Sequence, residues 1–472
     1  MSFLPIILWS DALIWLLALS GVAFGALASR SPPSRAAWRR VGAHRSGMAA
    51  VTILAVFVLV GLLDSLHYRP RLKNSDPDQP AAYAVEVLSA LDALAAPLRL
   101  RSEKTYSAPL ATRAYAKETL EIRAADGSVR TLRDFPRLNH GGARLGDDEA
   151  GRDLDVLNRT LTAVALAVCL FAALALGAAA GLSRRNACRF GQAWSELWKG
   201  ETGFAWNAVL PAVGVLLLTL LPILALCGDY HVFGTDKVGQ DVFYQILKSV
   251  RTALVIGLVT TLVTLPLAIG LGILAGYFRG WLDDAIQYLY TTLSSIPGVL
   301  LIAAAVLMMQ VVIDTHPQWF STAAERADLR LLALCFILGL SSWTSLCRLL
   351  RGETLKLREL EYIQAAQAFG VADHAILRRH ILPNLTHIVI IALVMDFSGL
   401  VLAEAVLSYV GIGVDPTMVS FGTMINNARM ELSREPAVWW SLASAFVFMF
   451  ALVLAANLLA DAVRDAFDPR MV

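Results

Sequence analysis

Carboxylates set into apolar sequence are where this chain could do chemistry. Asp11, Asp396, Glu404 and Asp461 stand in or beside stretches long enough to cross a bilayer. An acid there is costly and marks a functional candidate. It can line a polar path, relay a proton or hydrogen-bond to a neighbouring helix. Asp396, with Ser398 beside it, is the deepest and reads as lining a polar cavity. Glu404 reads either as lining a pathway or as bonding to an adjacent helix. Asp11 is expected to pair with an Arg or His from an external lobe at 67–158, and Asp461 to mark a boundary. Bond-breaking chemistry is not legible. The eight histidines form no H-E-x-x-H pair, and the five cysteines stand at no metal-ligand spacing. No G-x-x-x-x-G-K-[ST] run is present, so any ATP-driven motor must be a separate chain.

A different polar feature lies between two apolar stretches, "EYIQAAQAFGVADHAILRRHILPN" from Glu361 to Asn384. Residues Glu361 to Phe369 favour helix, with Tyr362, Ala366 and Phe369 on one face and Ile363 beside them. Gly370 permits a sharp bend. Asp373 is expected to cap a second short helix over 374–381, which Pro383 stops as it opens the next apolar span. Small residues at Ala365 and Ala366 would let another surface approach closely. The segment reads as a rigid knob for a cleft in a second protein, or as an amphipathic loop resting in lipid headgroups.

The elements that position these residues are apolar helices. Only 17% of the 472 residues are charged, against about 25% in ordinary soluble domains, and mean hydropathy is +0.59. Net charge is +2, which implies no nucleic-acid partner. Nine spans are expected, near 3–28, 47–66, 160–182, 205–227, 252–276, 282–312, 329–349, 385–410 and 437–460. Pro297 and Gly298 should kink the sixth. Arginines concentrate in 29–46 and 183–204, which places both loops in the cytoplasm. By alternation the N-terminus is periplasmic, 350–384 faces inward and the C-terminus is cytoplasmic. Residues 3–28 have no positive charge before the apolar run, the wrong polarity for a signal peptide, and read as an uncleaved span. Between the second and third spans, 67–158 reads as a small external α+β lobe. It should hold an amphipathic helix over 81–100 and a hairpin turning at Asp126-Gly127.

The knob segment resembles the EAA loop of ABC-importer permeases, whose pattern is E-A-A, three residues, glycine, nine residues, then I-x-L-P. Ala365, Ala366, Gly370, Leu382 and Pro383 match at that spacing. Gln364 replaces the glutamate and His380 the first isoleucine, with Ile381 available for the lost apolar contact. "HVFGTDKVGQDVFYQILKSVRTAL" (231–254), carrying Gly234, Thr235, Asp236 and Asp241, is similar to the external stretch of the C-type permease of dipeptide, oligopeptide or nickel importers. "LLRGETLKLRELEY" (349–362), "LAEAVLSYVGIGV" (402–414) and "DAVRDAFDPR" (461–470) also fit.

The resemblance covers 200–472 and implies an all-α polytopic fold. A six-span permease core would follow three extra spans and the external lobe. The organisation expected is 1–66 with two spans and an Arg-rich linker, 67–158 the periplasmic insert, 159–199 the third extra span with its cytoplasmic loop, and 200–472 the core with its coupling loop at 361–384. The resemblance further implies a non-catalytic subunit in a bacterial inner membrane, importing peptides or similar small solutes. Glu361, Gln364, Ala365, Ala366, Phe369, Gly370, Leu382 and Pro383 would dock into an ATPase. Its partners would be a second, B-type permease, two cytoplasmic ABC ATPases and an extracytoplasmic solute-binding protein. ATP and Mg would bind on the ATPases, with no cofactor or metal on this chain. A rival reading, a proton-coupled secondary transporter relaying through Asp396 and Glu404, leaves 361–384 unexplained. A receptor would need a signalling domain, and a membrane enzyme a catalytic constellation; neither is legible.

Overall fold

A computed structural model describes residues 3–28, 30, 32–72, 83–123, 129–145, 151–320 and 322–467. Helices dominate because the apolar runs must satisfy their own backbone polar groups in lipid. In chain order they are α1 (Trp9–Ala28), α2 (Pro32–Ala43), α3 (Arg45–Asp64), α4 (Ala90–Leu94), α5 (Ala96–Leu100), α6 (Arg152–Asn186), α7 (Phe190–Lys199) and α8 (Trp206–Leu226). There follow α9 (Val242–Phe278), α10 (Gly280–Ser295), α11 (Gly298–Thr315), α12 (Ala323–Arg358), α13 (Glu361–Ala368), α14 (Asp373–Ile376), α15 (Leu382–Val410), α16 (Phe421–Glu431) and α17 (Trp440–Phe467). Strands are β1 (Phe3–Ile6), β2 (His67–Pro70), β3 (Leu88–Ser89), β4 (Glu118–Arg123) and β5 (Val129–Asp134). Among the described residues eight helices are long and apolar enough to cross a membrane, and Trp9–Ala23 is a shorter apolar helix. The chain forms two compact units, neither continuous in sequence.

The first unit holds Met1–Leu4, Gly42–Arg251 and Val419–Ala455. Its helical part packs α8 against α6 and α3, and α7 against α6. The lobe differs from its expected form in one respect. Among the described residues 83–100 of the expected 81–100 helix there is no single helix; the chain makes β3, then α4 and α5, because Ser89 and Asp92 form a reciprocal capping box that starts a helix there. The expected hairpin is present as β4 and β5, paired antiparallel with Leu120 opposite Leu132, although its turn at Asp126-Gly127 lies outside the described residues. Buried Asp64 and Asp92 share Lys248 of α9 at 2.7 and 3.1 Å, which ties the end of α3 and the lobe to the start of α9.

The second unit holds Pro5–Val41, Thr252–Met418 and Ala456–Val472. Of the nine expected spans the first, over 3–28, is not among the eight membrane-crossing candidates: β1 takes its first residues, and the apolar helix Trp9–Ala23 is shorter. Helix α1 packs on α12, where Ser10 donates its backbone N–H to Asp328 at 3.1 Å. Asp11 is buried beside it, 1% exposed. The span expected over 282–312 is two helices. Chain direction breaks at Ile296, extended at φ −89° and ψ 132°, because the following Pro297 disfavours helical geometry in the residue before it. Only α11 of the pair is a membrane-crossing candidate.

Candidate functional site

The knob grows out of the second unit's apolar core. Ile363, Ile376 and Ile381 are fully buried there among Ala268, Ala275, Tyr277, Cys347 and Leu350. Ala366 packs against the same cluster, so it faces inward while Ala365 is exposed. Between the buried residues the chain turns at Gly370, with φ +73° and nothing within 4 Å of where a Cβ would stand. Glycine is required there for backbone conformation, not for space. The bend thrusts out Phe369, 87% exposed. Phe369 is thus a large exposed ring on a segment anchored by three buried isoleucines.

Asp373 does not cap the second helix as expected. The N-cap residue is Ala372, with no side-chain bond, and Asp373 instead accepts a hydrogen bond from the Tyr277 hydroxyl at 2.7 Å. Gln367 donates to the same hydroxyl at 3.2 Å, and the Arg358 guanidinium stands over the Tyr277 ring at 5.8 Å. Nor does Pro383 stop the helix. The chain passes from α14 through a π turn, Leu377–Ile381, directly into α15. Proline has no N–H to donate and crowds the preceding turn, and a widened turn relieves both. Gln364 donates to the Glu359 carbonyl at 3.2 Å, while Glu361, Leu382 and Pro383 lie on the exposed side of the segment. Asn384 bridges the Tyr362 hydroxyl at 3.1 Å and the His380 carbonyl at 2.7 Å.

Two pairs brace the helices behind the knob. Asp283 of α10 accepts a bidentate pair from Arg351 of α12 at 2.5 and 2.7 Å. Gly272 and Gly276 let α9 touch α12, since a Cβ on either would come within 2.8 Å of a backbone oxygen, of Cys347 and of Arg351 respectively. These glycines escaped the sequence reading although "GILAG" carries the small-xxx-small signal.

Next to the knob's core is a cavity of ≈ 780 Å³. Asp396 lines it with Thr261, Thr264, Ser342, Ser345 and Arg464. Asp396 is exposed, with no hydrogen-bond or ion-pair partner among the described residues. Glu404 is elsewhere: it is buried and accepts from the Ser408 hydroxyl one turn on, at 2.6 Å. The two acids expected to act together are therefore not brought to one cavity. Asp461 is exposed on α17.

In the first unit the stretch that begins at His231 is a folded platform. Gly234 turns with φ +72°, and the buried Thr235 hydroxyl accepts from the Ser107 amide at 2.7 Å while its carbonyl accepts from the Trp440 indole at 3.0 Å. Asp236 accepts from the Val238 and Gln240 amides, and Asp241 from the Phe243 amide. Asp241 also meets His231 at 2.7 Å, and the far side of that ring faces Glu103 of the lobe at 3.6 Å. Glu103 further accepts from the backbone amides of Asn139, His140 and Gly141. Burial opposes charge on Glu103, but His231 and those amides outweigh it and hold the carboxyl at about 2. Burial also opposes charge on His231, which Asp241 and Glu103 raise to about 9. Asp236 and Asp241 thus hold this part of the fold together; Glu103, buried in the same arrangement, carried no sequence signal because its partner His231 is distant in the chain.

Residues 268–472 match the family described as the binding-protein-dependent transport system inner membrane component. The glutathione transport system permease protein GsiD of Pectobacterium atrosepticum is 32% identical over 302 residues, covering 59% of this chain and 91% of that protein. The chain belongs to this permease family. The oligopeptide transport system permease protein OppC of Mycobacterium tuberculosis is 31% identical over 242 residues, 51% of the permease described here and 77% of its relative. The dipeptide transport system permease protein DppC of Bacillus subtilis is 24% identical, over 59% and 85% respectively. A solved chain of the MetNI methionine ABC transporter aligns with a TM-score of 0.35 at 16% identity, over 47% of this permease and 97% of that chain, a distant likeness only. The family match contains the knob and the cavity helices α12 and α15; the lobe between α3 and α6, and α1 to α8, lie outside it.

Proposed function

We propose that this permease is one of two membrane subunits of an ATP-driven importer and forms half of the path for a small peptide-like solute. Its relatives are named for glutathione, oligopeptide and dipeptide transport, which supports a cargo of that class. The other permease is a related B-type chain. Two cytoplasmic ABC ATPases bind ATP and Mg, and an extracytoplasmic solute-binding protein delivers the cargo. The permease itself is non-catalytic and binds no cofactor. It lies in the inner membrane with its N-terminus periplasmic and its C-terminus cytoplasmic.

The knob carries this reading. An exposed Phe369 on a short, internally braced segment is built to be gripped. Because Ile363, Ile376 and Ile381 share a packed core with α9 and α12, a push on Phe369 moves those helices rather than bending the loop. α12 and α15 also wall the cavity that holds Asp396. Nucleotide can drive the path only if it binds the two conformations with different affinity, and the knob is where that difference is transmitted. A photo-crosslinker at Phe369 in native membranes should capture a nucleotide-binding subunit. Capture of lipid alone, with the complex otherwise intact, overturns the docking role. The isolated chain should show no ATP hydrolysis.

A further inference from the structure

Helix α7 joins two membrane-crossing helices, α6 and α8, through short turns at 187–189 and 200–205. A ten-residue helix so tethered must lie at the membrane surface. One side of it is used by the protein: Ala193 and Leu197 are fully buried against Ala175, Ala179 and Leu210. Another side carries an aromatic ladder at helical spacing. Phe190 and Trp194 stack at 6.4 Å, and Trp194 meets Trp198 at 6.0 Å. All three rings are exposed, at 46%, 36% and 39%. In the same stretch of chain, at the end of α6 and the two ends of α7, are Arg184, Arg185, Arg189 and Lys199, each exposed and with no side-chain ion-pair partner among the described residues. The acids of the segment 183–204 are Glu196 and Glu201, which leaves a net positive surface.

We propose that α7 and its flanking arginines form an interfacial site for anionic phospholipid headgroups. Tryptophan rings favour the headgroup depth, where the indole has apolar surroundings and a wet edge. Guanidinium groups match phosphate oxygens two at a time, and unpaired cations beside such rings favour an anionic over a zwitterionic lipid. The bilayer already surrounds α6 and α8, so the lipid is the continuous neighbour of this face. The segment lies outside the residues of the family match, and the assignment does not depend on what the permease carries.

The test uses the full-length chain in nanodiscs of phosphatidylcholine, with a fixed fraction of either phosphatidylcholine or phosphatidylglycerol brominated near the headgroup. Quenching in the native chain minus that in Trp194→Phe/Trp198→Phe isolates the two rings. Brominated phosphatidylglycerol should quench them more strongly at equal mole fraction. That preference should fall about fivefold for each arginine neutralised in the series Arg184→Gln, Arg185→Gln and Arg189→Gln at low ionic strength. Should the triple variant fail to fold, added salt on the native chain reads the same attraction, which should collapse, and the triple Arg→Lys variant should retain it. Equal quenching by the two lipids overturns the proposal. So does a photo-crosslinker at Trp194 in native membranes that captures protein instead of lipid.

Discussion

Single residues in this permease take meaning from their partners. Phe369 is exposed because Ile363 and Ile376 on either side of the bend are not. Asp396 stands alone on a cavity wall, and Asp396→Leu should lower transport at least tenfold while leaving insertion and complex assembly intact, checked by uptake and co-purification. Glu103 and His231 predict a pH response with a definite sign. The Glu103 carboxyl is held at about 2 against an ordinary 4.5, so its contribution is complete above pH 4.5 and fades as pH falls toward 2. His231 is raised from 6.5 to about 9, so its contribution is complete below pH 6.5 and fades as pH rises through 9. Thermal stability should therefore peak between these limits. Glu103→Gln should cost about 1.5–3 kcal/mol and blunt both limbs, as a pH series of unfolding curves would read. Ala366, which sequence assigned to the docking surface, packs into the protein's own core; a large residue there would disrupt the knob itself, so Phe369 is the cleaner position to probe.

At the scale of elements, the knob is a bend between helices with a long lever behind it. Gly370→Ala keeps the space but opposes φ +73°, and should cost about 1 kcal/mol and weaken ATPase coupling without affecting insertion. Gly276→Val drives a branched side chain against the Arg351 carbonyl and Thr354. The α9–α12 contact should open at a cost of about 1–3 kcal/mol, visible as a lower melting temperature in detergent. The positions of these elements were largely legible, because a lipid solvent leaves a long apolar run little choice but helix. Pro383 looked like a stop, yet a π turn carries the helix through it. Residues 282–312 looked like one kinked helix and are two. The 81–100 pattern suited one amphipathic helix, but the Ser89–Asp92 capping box begins a separate, shorter one. In each case local geometry at one or two residues outweighed the periodicity of the segment.

For the whole molecule, arginine placement predicts direction across the membrane. Lys104→Cys, in the lobe and 77% exposed at its side chain, should react with an impermeant thiol reagent from the periplasmic side. Lys199→Cys, after α7, should be protected until the inner face is opened; the reverse pattern would invert the permease and remove its knob from any cytoplasmic ATPase. Sequence by itself determined that this is a membrane permease with a glycine-bent knob, because hydropathy, charge placement and motif spacing are each written within a short window of chain. Only the tertiary structure decided which acids share a space. Asp396 meets the cavity while Glu404, eight residues along the same helix, turns inward to Ser408. Glu103 finds His231 from 128 residues away in the chain. Such pairings arise from the packing of separate helices and loops, and a helix's own periodicity does not say which neighbour each of its faces will meet.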